Sequence, residues 1–174
     1  MFKIRKATLE DIPLIHKLAW IVFPHTYKEL LSPGQIEFMM DWMYSPINLK
    51  KQMTEDGHIY YLAFEGNEPA GYLSIQPEAE HIYHLQKIYV LPSFQGKKLG
   101  KLLFQQAIDG IKELHPEPCQ MRLNVNRYNT KAVDFYQRME MKKKKTRAVR
   151  RCLILMVLIL QIQPHLFFRN FFCQ

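Results

Sequence analysis

The stretch that decides the fold is QKIYVLPSFQGKKLG, residues 86–100. Its Ile, Tyr and Val predict a strand over 81–91 that ends before Pro92, and the apolar spacing after it predicts a helix over 101–114. Between them, residues 95–100 predict a short loop that contains glycine. A tight loop from a strand to a helix aims several backbone N–H groups at one place, and the helix dipole adds to them. The stretch therefore predicts an anion site.

The charge of the chain agrees with this prediction. Lys97, Lys98 and Lys101 place positive charge around the loop, which suits a ligand that carries several phosphates. The net charge of +8 is uneven, because residues 91–174 hold 16 Lys and Arg against 5 Asp and Glu, and residues 1–90 hold 8 against 11. A basic run is also typical of a solvated surface. Nucleic-acid binding would need a recognition helix or a zinc finger, and the sequence shows neither.

The rest of the sequence predicts the other elements of one α/β domain. Alternating apolar and basic residues predict a strand over 2–7, and the capping residues Thr8 and Ser32, the latter before Pro33, predict helix starts. We further predict a short helix to residue 53, strands over 59–64, 70–75 and 121–125, and a helix over 129–139. Strand, helices, three strands, helix, strand, helix, without repeat or linker, is the order of a single α/β domain.

The amino-acid composition indicates a globular protein. A chain of 174 residues that is 48% apolar and 13% aromatic can bury one hydrophobic core. The first residues lack the apolar stretch of a secretory signal. Cys119, Cys152 and Cys173 have no metal-ligand spacing and leave one thiol over in any disulfide scheme. We therefore expect no metal site and a reduced, cytoplasmic setting.

A second segment, NVNRYNTKAVDFYQRM at residues 124–139, makes the first one specific to a family. Together they resemble the GNAT superfamily of N-acetyltransferases, whose acetyl-CoA loop reads Gln/Arg-x-x-Gly-x-Gly/Ala and whose later segment reads Asn-x-x-Ala-x-x-Phe/Leu-Tyr. Gln95 and Gly100 match the ends of the loop pattern. The later pattern is matched in full, by Asn129, Ala132, Phe135 and Tyr136. The resemblance covers residues 2–140 and implies a mixed, mostly antiparallel central sheet flanked by helices.

Within the superfamily, the chain is most similar to bacterial polyamine acetyltransferases and their relatives. The features that carry this likeness are HTYKE at 25–29, Ser32-Pro33, KIYV at 87–90 and SFQ at 93–95. It implies acetyl-CoA as the co-substrate and a small-molecule amine as the acceptor. The implied cofactor residues are Ile88, Tyr89 and Val90 for the pantetheine arm, Gln95, Gly96, Lys97, Lys98, Leu99, Gly100 and Lys101 for the pyrophosphate, and Asn129 for the pantetheine.

The resemblance also suggests catalytic groups. Tyr136 would point at the thioester sulfur, and a phenol is a suitable proton donor to a departing thiolate. Without the motif, it would be an ordinary aromatic residue on a buried helix face. A protonated amine must lose a proton before it attacks, and His84 is the candidate base, with Glu80 and His81 as fallbacks. The alternative for His84 is a plain, partly buried histidine.

An aromatic set before the sheet has two readings. It either lines an amine pocket, because aromatic faces attract cations, or belongs to the core, which is the reading we favour for most of its members. The set consists of Phe23, His25, Tyr27, Trp42 and Tyr44.

Two positions depart from the family pattern. Lys98 stands where the loop usually has its middle glycine, so a positive φ there would strain the lysine and weaken cofactor binding modestly. Glu140-Met141 stands where the helix after Tyr136 normally ends in Gly-Phe, and glycine is expected there because a left-handed residue commonly closes a helix.

The end of the chain does not resemble the family. A basic run over 142–151 precedes an apolar run over 152–160 and an aromatic segment over 166–172. The apolar run is far short of the ~20 residues that span a bilayer, so we predict no membrane partner. We divide the chain into a GNAT domain, 1–141, and an atypical tail, 142–174, that replaces the closing strands. A membrane-surface anchor and a shifted reading frame near residue 141 are the alternatives.

These observations predict an enzyme that moves an acetyl group from acetyl-CoA to a primary amine by direct attack in a ternary complex. The alternatives are acetylation of a protein or peptide N-terminus, and a CoA-binding module without turnover. A nucleic-acid or membrane binder driven by the basic tail is a third class, whose binding would depend strongly on salt. Relatives often dimerise, so a homodimer is left open, and no residue identifies an interface.

Overall fold

The computed structural model describes residues 1–149 and 153–162, which form seven strands and five α-helices. In chain order the elements are β1 (Phe2–Lys6), α1 (Ile12–Tyr27), α2 (Pro33–Tyr44), α3 (Pro46–Thr54), β2 (Ile59–Glu65), β3 (Glu68–Ala79), β4 (Ile82–Val90), α4 (Leu99–Leu114), β5 (Cys119–Asn126), α5 (Thr130–Arg138), β6 (Lys142–Val149) and β7 (Leu153–Ile162). Short 3₁₀ turns, Leu9–Asp11 and Pro92–Phe94, precede α1 and follow β4.

The strands form one sheet in the order β1-β2-β3-β4-β5-β7-β6. The pairs β1–β2, β2–β3, β5–β7 and β6–β7 are antiparallel, and β4 pairs with β5 in parallel. The predicted fold class, α/β with a mixed and mostly antiparallel sheet, is therefore confirmed. The predicted order of elements is also confirmed.

The chain divides into two compact units. One contains residues 1–77 and 85–107, and the other contains residues 78–84 and the part that follows residue 107. Each unit has its own buried apolar residues. In the first these include Ile15, Leu18, Leu62, Leu73 and Leu103, and in the second Ile111, Met121, Leu123, Leu158 and Ile162.

Capping residues set the helix starts where the sequence predicts them. The Ser32 hydroxyl accepts the Gln35 N–H at 3.3 Å, and the Gln35 side-chain oxygen accepts the Ser32 N–H at 2.9 Å, which is a reciprocal capping box. Pro33 is the first residue of α2, where its missing N–H has no helical partner to lose. Thr8 caps the 3₁₀ turn, and its N–H donates to Asp11 at 2.8 Å. The cap signal at Ser32 is thus confirmed, whereas Thr8 caps the 3₁₀ turn and Asp11 is the N-cap of α1.

The last described part of the chain is a hairpin. Strand β7 pairs with β5 from Cys119↔Ile162 to Asn126↔Leu155, and β6 pairs with β7. The aromatic segment predicted over 166–172, Cys152 and Cys173 lie outside the described residues, and the division of the chain at residue 141 stays a prediction. In the described ranges, no helix has both the length and the apolar character to cross a membrane.

Candidate active site

The glycine-containing loop belongs to the first unit and has two left-handed residues. Gly96 has φ 80° and Lys98 has φ 63°. The Lys98 carbonyl accepts the N–H groups of Lys101 at 3.1 Å and Leu102 at 3.3 Å, so α4 begins directly after it. The predicted helix start at 101 is wrong by two residues, because Leu99 is 1% exposed and packs as part of the first turn. The condition under which Lys98 is strained, a positive φ, is met.

Two side chains of the loop have partners in the first unit. The Lys97 ammonium pairs with the Glu65 carboxylate at 2.9 Å and lies 4.9 Å from the centre of the Phe94 ring. The Gln95 side-chain amide donates to the Val90 carbonyl at 3.3 Å. Because Glu65 and Lys97 are both partly exposed, their ion pair is weak and a phosphate could compete with it.

The strand end that precedes the loop is packed tightly against β3. Ile88, Tyr89 and Val90 are all half-buried. The Leu91 N–H donates to the Ala70 carbonyl at 2.9 Å, and the next residue, Gly71, lies beside the Tyr89–Val90 peptide. No sequence signal distinguishes Gly71 from an ordinary glycine in a strand.

Lys87, one residue before this strand end, is buried, which the sequence analysis missed. Its ammonium donates to the Gln52 side-chain oxygen at 2.7 Å and lies 5.5 Å and 5.2 Å from the ring centres of Tyr44 and Tyr60. Gln52 also accepts the Tyr60 hydroxyl at 2.6 Å. Burial lowers the pKa of Lys87 to about 7.

Gln86 and Lys87, consecutive residues of β4, have different surroundings. Gln86 donates to Gln76 at 2.6 Å, and Gln76 donates to the Asp56 carbonyl just after α3, while Lys87 reaches Gln52 within α3. Gln86 is exposed and Lys87 is buried, as expected of neighbours in a strand, whose side chains alternate between the two faces.

His84 belongs to the second unit and is held at both ring nitrogens. Its side chain is 8% exposed, Nδ1 lies 2.7 Å from the Glu78 carboxylate, and Nε2 lies 3.4 Å from the Asn124 amide nitrogen. In the parallel pairing of β4 with β5, His84 stands opposite Arg122. Glu78 was not among the predicted site residues, and the signal that points to it is a carboxylate six residues before a histidine in a strand.

The fallback bases have a different neighbourhood in the same unit. His81 has φ 57°, and its Nδ1 lies 2.6 Å from His115 Nε2. Glu80 is 88% exposed and lies 3.7 Å from His81. Both residues therefore belong to an exposed cluster at the turn between β3 and β4.

The second motif segment forms the start and body of α5. The Asn129 side-chain oxygen accepts the Ala132 N–H at 3.2 Å, so Asn129 is the N-cap of the helix. Tyr136 is 9% exposed, with its ring 5.3 Å from that of Phe135. Asn129 thus has a structural role beside any role in binding, and Tyr136 is an aromatic residue on a buried helix face.

The end of α5 has the left-handed residue that the sequence predicts. Glu140 has φ 62°, its N–H donates to the Gln137 carbonyl at 2.9 Å, and the Met141 N–H donates to the Tyr136 carbonyl at 3.0 Å. This pair of bonds is a Schellman motif, which favours glycine at the position that Glu140 occupies.

The aromatic set before the sheet divides between core and surface. Phe23 and Tyr44 are buried, with their ring centres 5.9 Å apart, and Trp42 is 62% exposed and stacks on Phe38. The core reading is confirmed for Phe23 and Tyr44 but not for most of the set, because His25 and Trp42 are exposed and Tyr27 is half-buried.

The structure is that of an α/β protein with a mixed sheet and a left-handed loop between β4 and α4. A family model described as the acetyltransferase (GNAT) family matches residues 16–141, so the chain belongs to the GNAT family of acetyltransferases.

Individual relatives agree with this membership. The chain is 26% identical over 138 residues to a spermidine N(1)-acetyltransferase of Thermoplasma acidophilum, a match that covers 77% of this chain and 84% of that protein. The fold is similar to the crystal structure of the PaiA N-acetyltransferase of Thermoplasma acidophilum in complex with coenzyme A, with TM-score 0.75, 23% identity, and coverage of 90% of this chain and 98% of that one. It is also similar to the ribosomal-protein-S18-alanine N-acetyltransferase of Escherichia coli, with TM-score 0.72, 16% identity, and coverage of 96% and 99%.

Proposed function

We propose that this acetyltransferase transfers the acetyl group of acetyl-CoA to a primary amine of a small, polyamine-like molecule. The observation that carries the proposal is the loop with Gly96 and Lys98 in left-handed conformations at the start of α4, in a chain of this family. The spermidine N(1)-acetyltransferase relative supports the class of acceptor, and the coenzyme A complex of the similar structure supports the cofactor.

The proposed cofactor contacts follow the loop and the strand end. The pyrophosphate accepts from the backbone N–H groups of residues 95–101, because a helix N-terminus with lysines beside it attracts phosphate. The Lys97 ammonium exchanges its Glu65 partner for a phosphate oxygen. The pantetheine arm pairs with the backbone of Ile88, Tyr89 and Val90, which requires the Gln95 side chain to leave the Val90 carbonyl. The Asn129 amide contacts the pantetheine while its oxygen caps α5.

The proposed chemistry is direct attack. His84 accepts a proton from the acceptor ammonium, and the neutral amine then attacks the thioester carbonyl carbon. A backbone N–H stabilises the oxyanion, the new C–N bond forms, and the C–S bond breaks. Tyr136 donates its proton to the departing thiolate and recovers one from the new amide nitrogen through solvent.

Titration calorimetry with acetyl-CoA tests the cofactor site. We expect micromolar binding by the folded chain. Asn129→Ser keeps an oxygen that can cap α5, whereas Asn129→Ala loses the cap. If both variants bind acetyl-CoA more weakly and Asn129→Ser is as stable as the wild type, the side-chain amide contacts the cofactor. Absence of binding by a folded sample would overturn the proposed function.

Turnover assays test the acceptor and Tyr136. Spermidine should be acetylated faster than a peptide that begins with alanine, and the reverse order would favour N-terminal acetylation. We expect Tyr136→Phe to bind acetyl-CoA normally and to lower kcat roughly 100-fold, as for the loss of a general acid. Tyr128→Phe, at an exposed tyrosine before α5, is the matched control. Binding without turnover of either acceptor would favour a CoA-binding module. The cytoplasmic setting and a homodimer stay predictions.

A further inference from the structure

The His84 imidazole lies between two side chains of opposite hydrogen-bonding character. On one side, Nδ1 is 2.7 Å from the Glu78 carboxylate oxygen. On the other side, Nε2 is 3.4 Å from the Asn124 amide nitrogen. An ionised carboxylate only accepts hydrogen bonds, and an amide nitrogen only donates them. The two neighbours therefore demand a proton on Nδ1 and a lone pair on Nε2.

We infer that Glu78 is a positioning residue that fixes His84 as the Nδ1–H tautomer, with Nε2 as the atom that accepts the proton of the acceptor amine. The inference rests on the proposed function for the identity of that amine. The tautomer itself is a property of the free protein. Glu78 acts through His84 and is not itself a catalytic group.

The strands give this arrangement its geometry. Residues Ile82, Tyr83 and His84 pair in parallel with Gln120, Met121 and Arg122, which fixes the height of His84 along β5. Asn124 lies two residues beyond Arg122 and thus on the same face of β5. Glu78 lies near the end of β3, and the chain returns to His84 through a turn at Glu80 and His81, where φ is 57°.

Burial of the His84 imidazole strengthens its interaction with the Glu78 carboxylate. The His84 side chain is 8% exposed and that of Glu78 is 35% exposed, so the imidazole is largely shielded while the carboxylate keeps part of its hydration. When Nε2 takes a proton from the ammonium, the imidazolium that forms is stabilised by Glu78 through Nδ1–H. A carboxylate orients the catalytic imidazole of serine hydrolases in the same way. The proton balance is one imidazole and one ammonium giving one imidazolium and one amine.

Nitrogen-15 NMR of histidine-labelled full-length protein tests the tautomer directly, with His84→Gln to assign the signal. We expect the Nδ1–H pattern for His84 in the wild type at neutral pH. Glu78→Ala should convert it to a mixture of tautomers, and Glu117→Ala, which removes an exposed carboxylate from the same unit, should leave it unchanged. An Nε2–H signal in the wild type, or an unaltered signal in Glu78→Ala, would overturn the inference.

Kinetics separate positioning from folding. We expect Glu78→Ala to lower kcat about 10- to 100-fold and to leave KM for acetyl-CoA unchanged. This loss is smaller than the rate enhancement of roughly 100- to 10,000-fold that a general base supplies, because His84 itself remains. Asn124→Asp places a second acceptor opposite Nε2, so His84 should carry protons on both nitrogens and kcat should fall while acetyl-CoA still binds. If kcat does not respond to either change while the tautomer does, the role in catalysis is refuted and the tautomer assignment stands. If no acetyl-CoA binds at all, the proposed function fails and the NMR result is unaffected.

Discussion

A β-carbon on Gly71 would collide with the carbonyl oxygen of Tyr89 and would lie 3.3 Å from the Val90 Cα. Both partners are backbone atoms, which cannot move aside as a flexible side chain can. Gly71 thus lets β3 approach the end of β4 at the residues proposed to pair with the pantetheine arm.

Gly71→Ala should displace the Tyr89–Val90 peptide. We expect a loss of stability of roughly 1–3 kcal/mol, as for overpacking of a well-packed site, and weaker acetyl-CoA binding. Thermal unfolding and calorimetry measure the two effects. Gly34→Ala, in α2 where a β-carbon meets nothing within 4 Å, is the control that should lose neither stability nor binding. Equal behaviour of the two variants would show that the close approach has no consequence.

Lys98→Gly should stabilise the chain. A residue with a β-carbon at φ 63° costs about 1 kcal/mol or more relative to glycine, so we expect a higher unfolding temperature. Acetyl-CoA binding should be at least as tight if loop strain outweighs the lost charge. Lys98→Ala removes the same charge but keeps the strain, and a gain of stability in that variant would assign the effect to charge instead.

Glu140→Gly tests the Schellman motif at the end of α5. With φ 62° at this position, glycine should raise the free energy of unfolding by about 1 kcal/mol. Glu140→Asn should give part of the gain, because asparagine tolerates this conformation better than other residues. Glu140→Ala should give none of it, so a rise with alanine in denaturant unfolding would contradict the conformational explanation.

Lys87→Met tests the buried amine through pH. The folded pKa is about 7 and the ordinary value is 10.5, so between these values the unfolded chain holds a proton that the folded chain has released. Stability should therefore rise as pH increases through this window, with a total contribution of roughly 3–5 kcal/mol, and should be lowest at and below pH 7. Denaturant unfolding between pH 7 and 9 measures the slope.

The methionine variant should be more stable than the wild type at pH 7 and should show a flatter slope. Lys51→Met, at an exposed lysine on α3, should keep the wild-type slope. A slope that survives in Lys87→Met would mean that another group causes it.

Local signals made much of the fold predictable. Ser32-Pro33 carries a cap and a proline at the first helical position, so the start of α2 follows from chemistry within four residues. The positive φ at Lys98 and Glu140 could be anticipated because both stand where related chains have glycine. In each case, the deciding interactions lie within one turn of the residue concerned.

The features that the sequence analysis missed depend on neighbours distant in sequence. Lys87 is a charged residue that is buried because Gln52, 35 residues away in sequence, accepts a hydrogen bond from its ammonium. The contact between Glu78 and His84 depends on the turn at His81, which brings the two residues together. Periodicity describes one element at a time and cannot show which residue of another element a strand side chain contacts.

The basic strand β6 lies at the end of the strand order, beside β7 alone in the described part of the chain. Lys142, Lys143 and Lys144 are exposed there, and the register shifts between Lys143 and Lys145. Two copies that joined along this edge would bring two rows of ammonium groups together across a distorted ladder. The exposed positive charge thus opposes growth of the sheet along this edge.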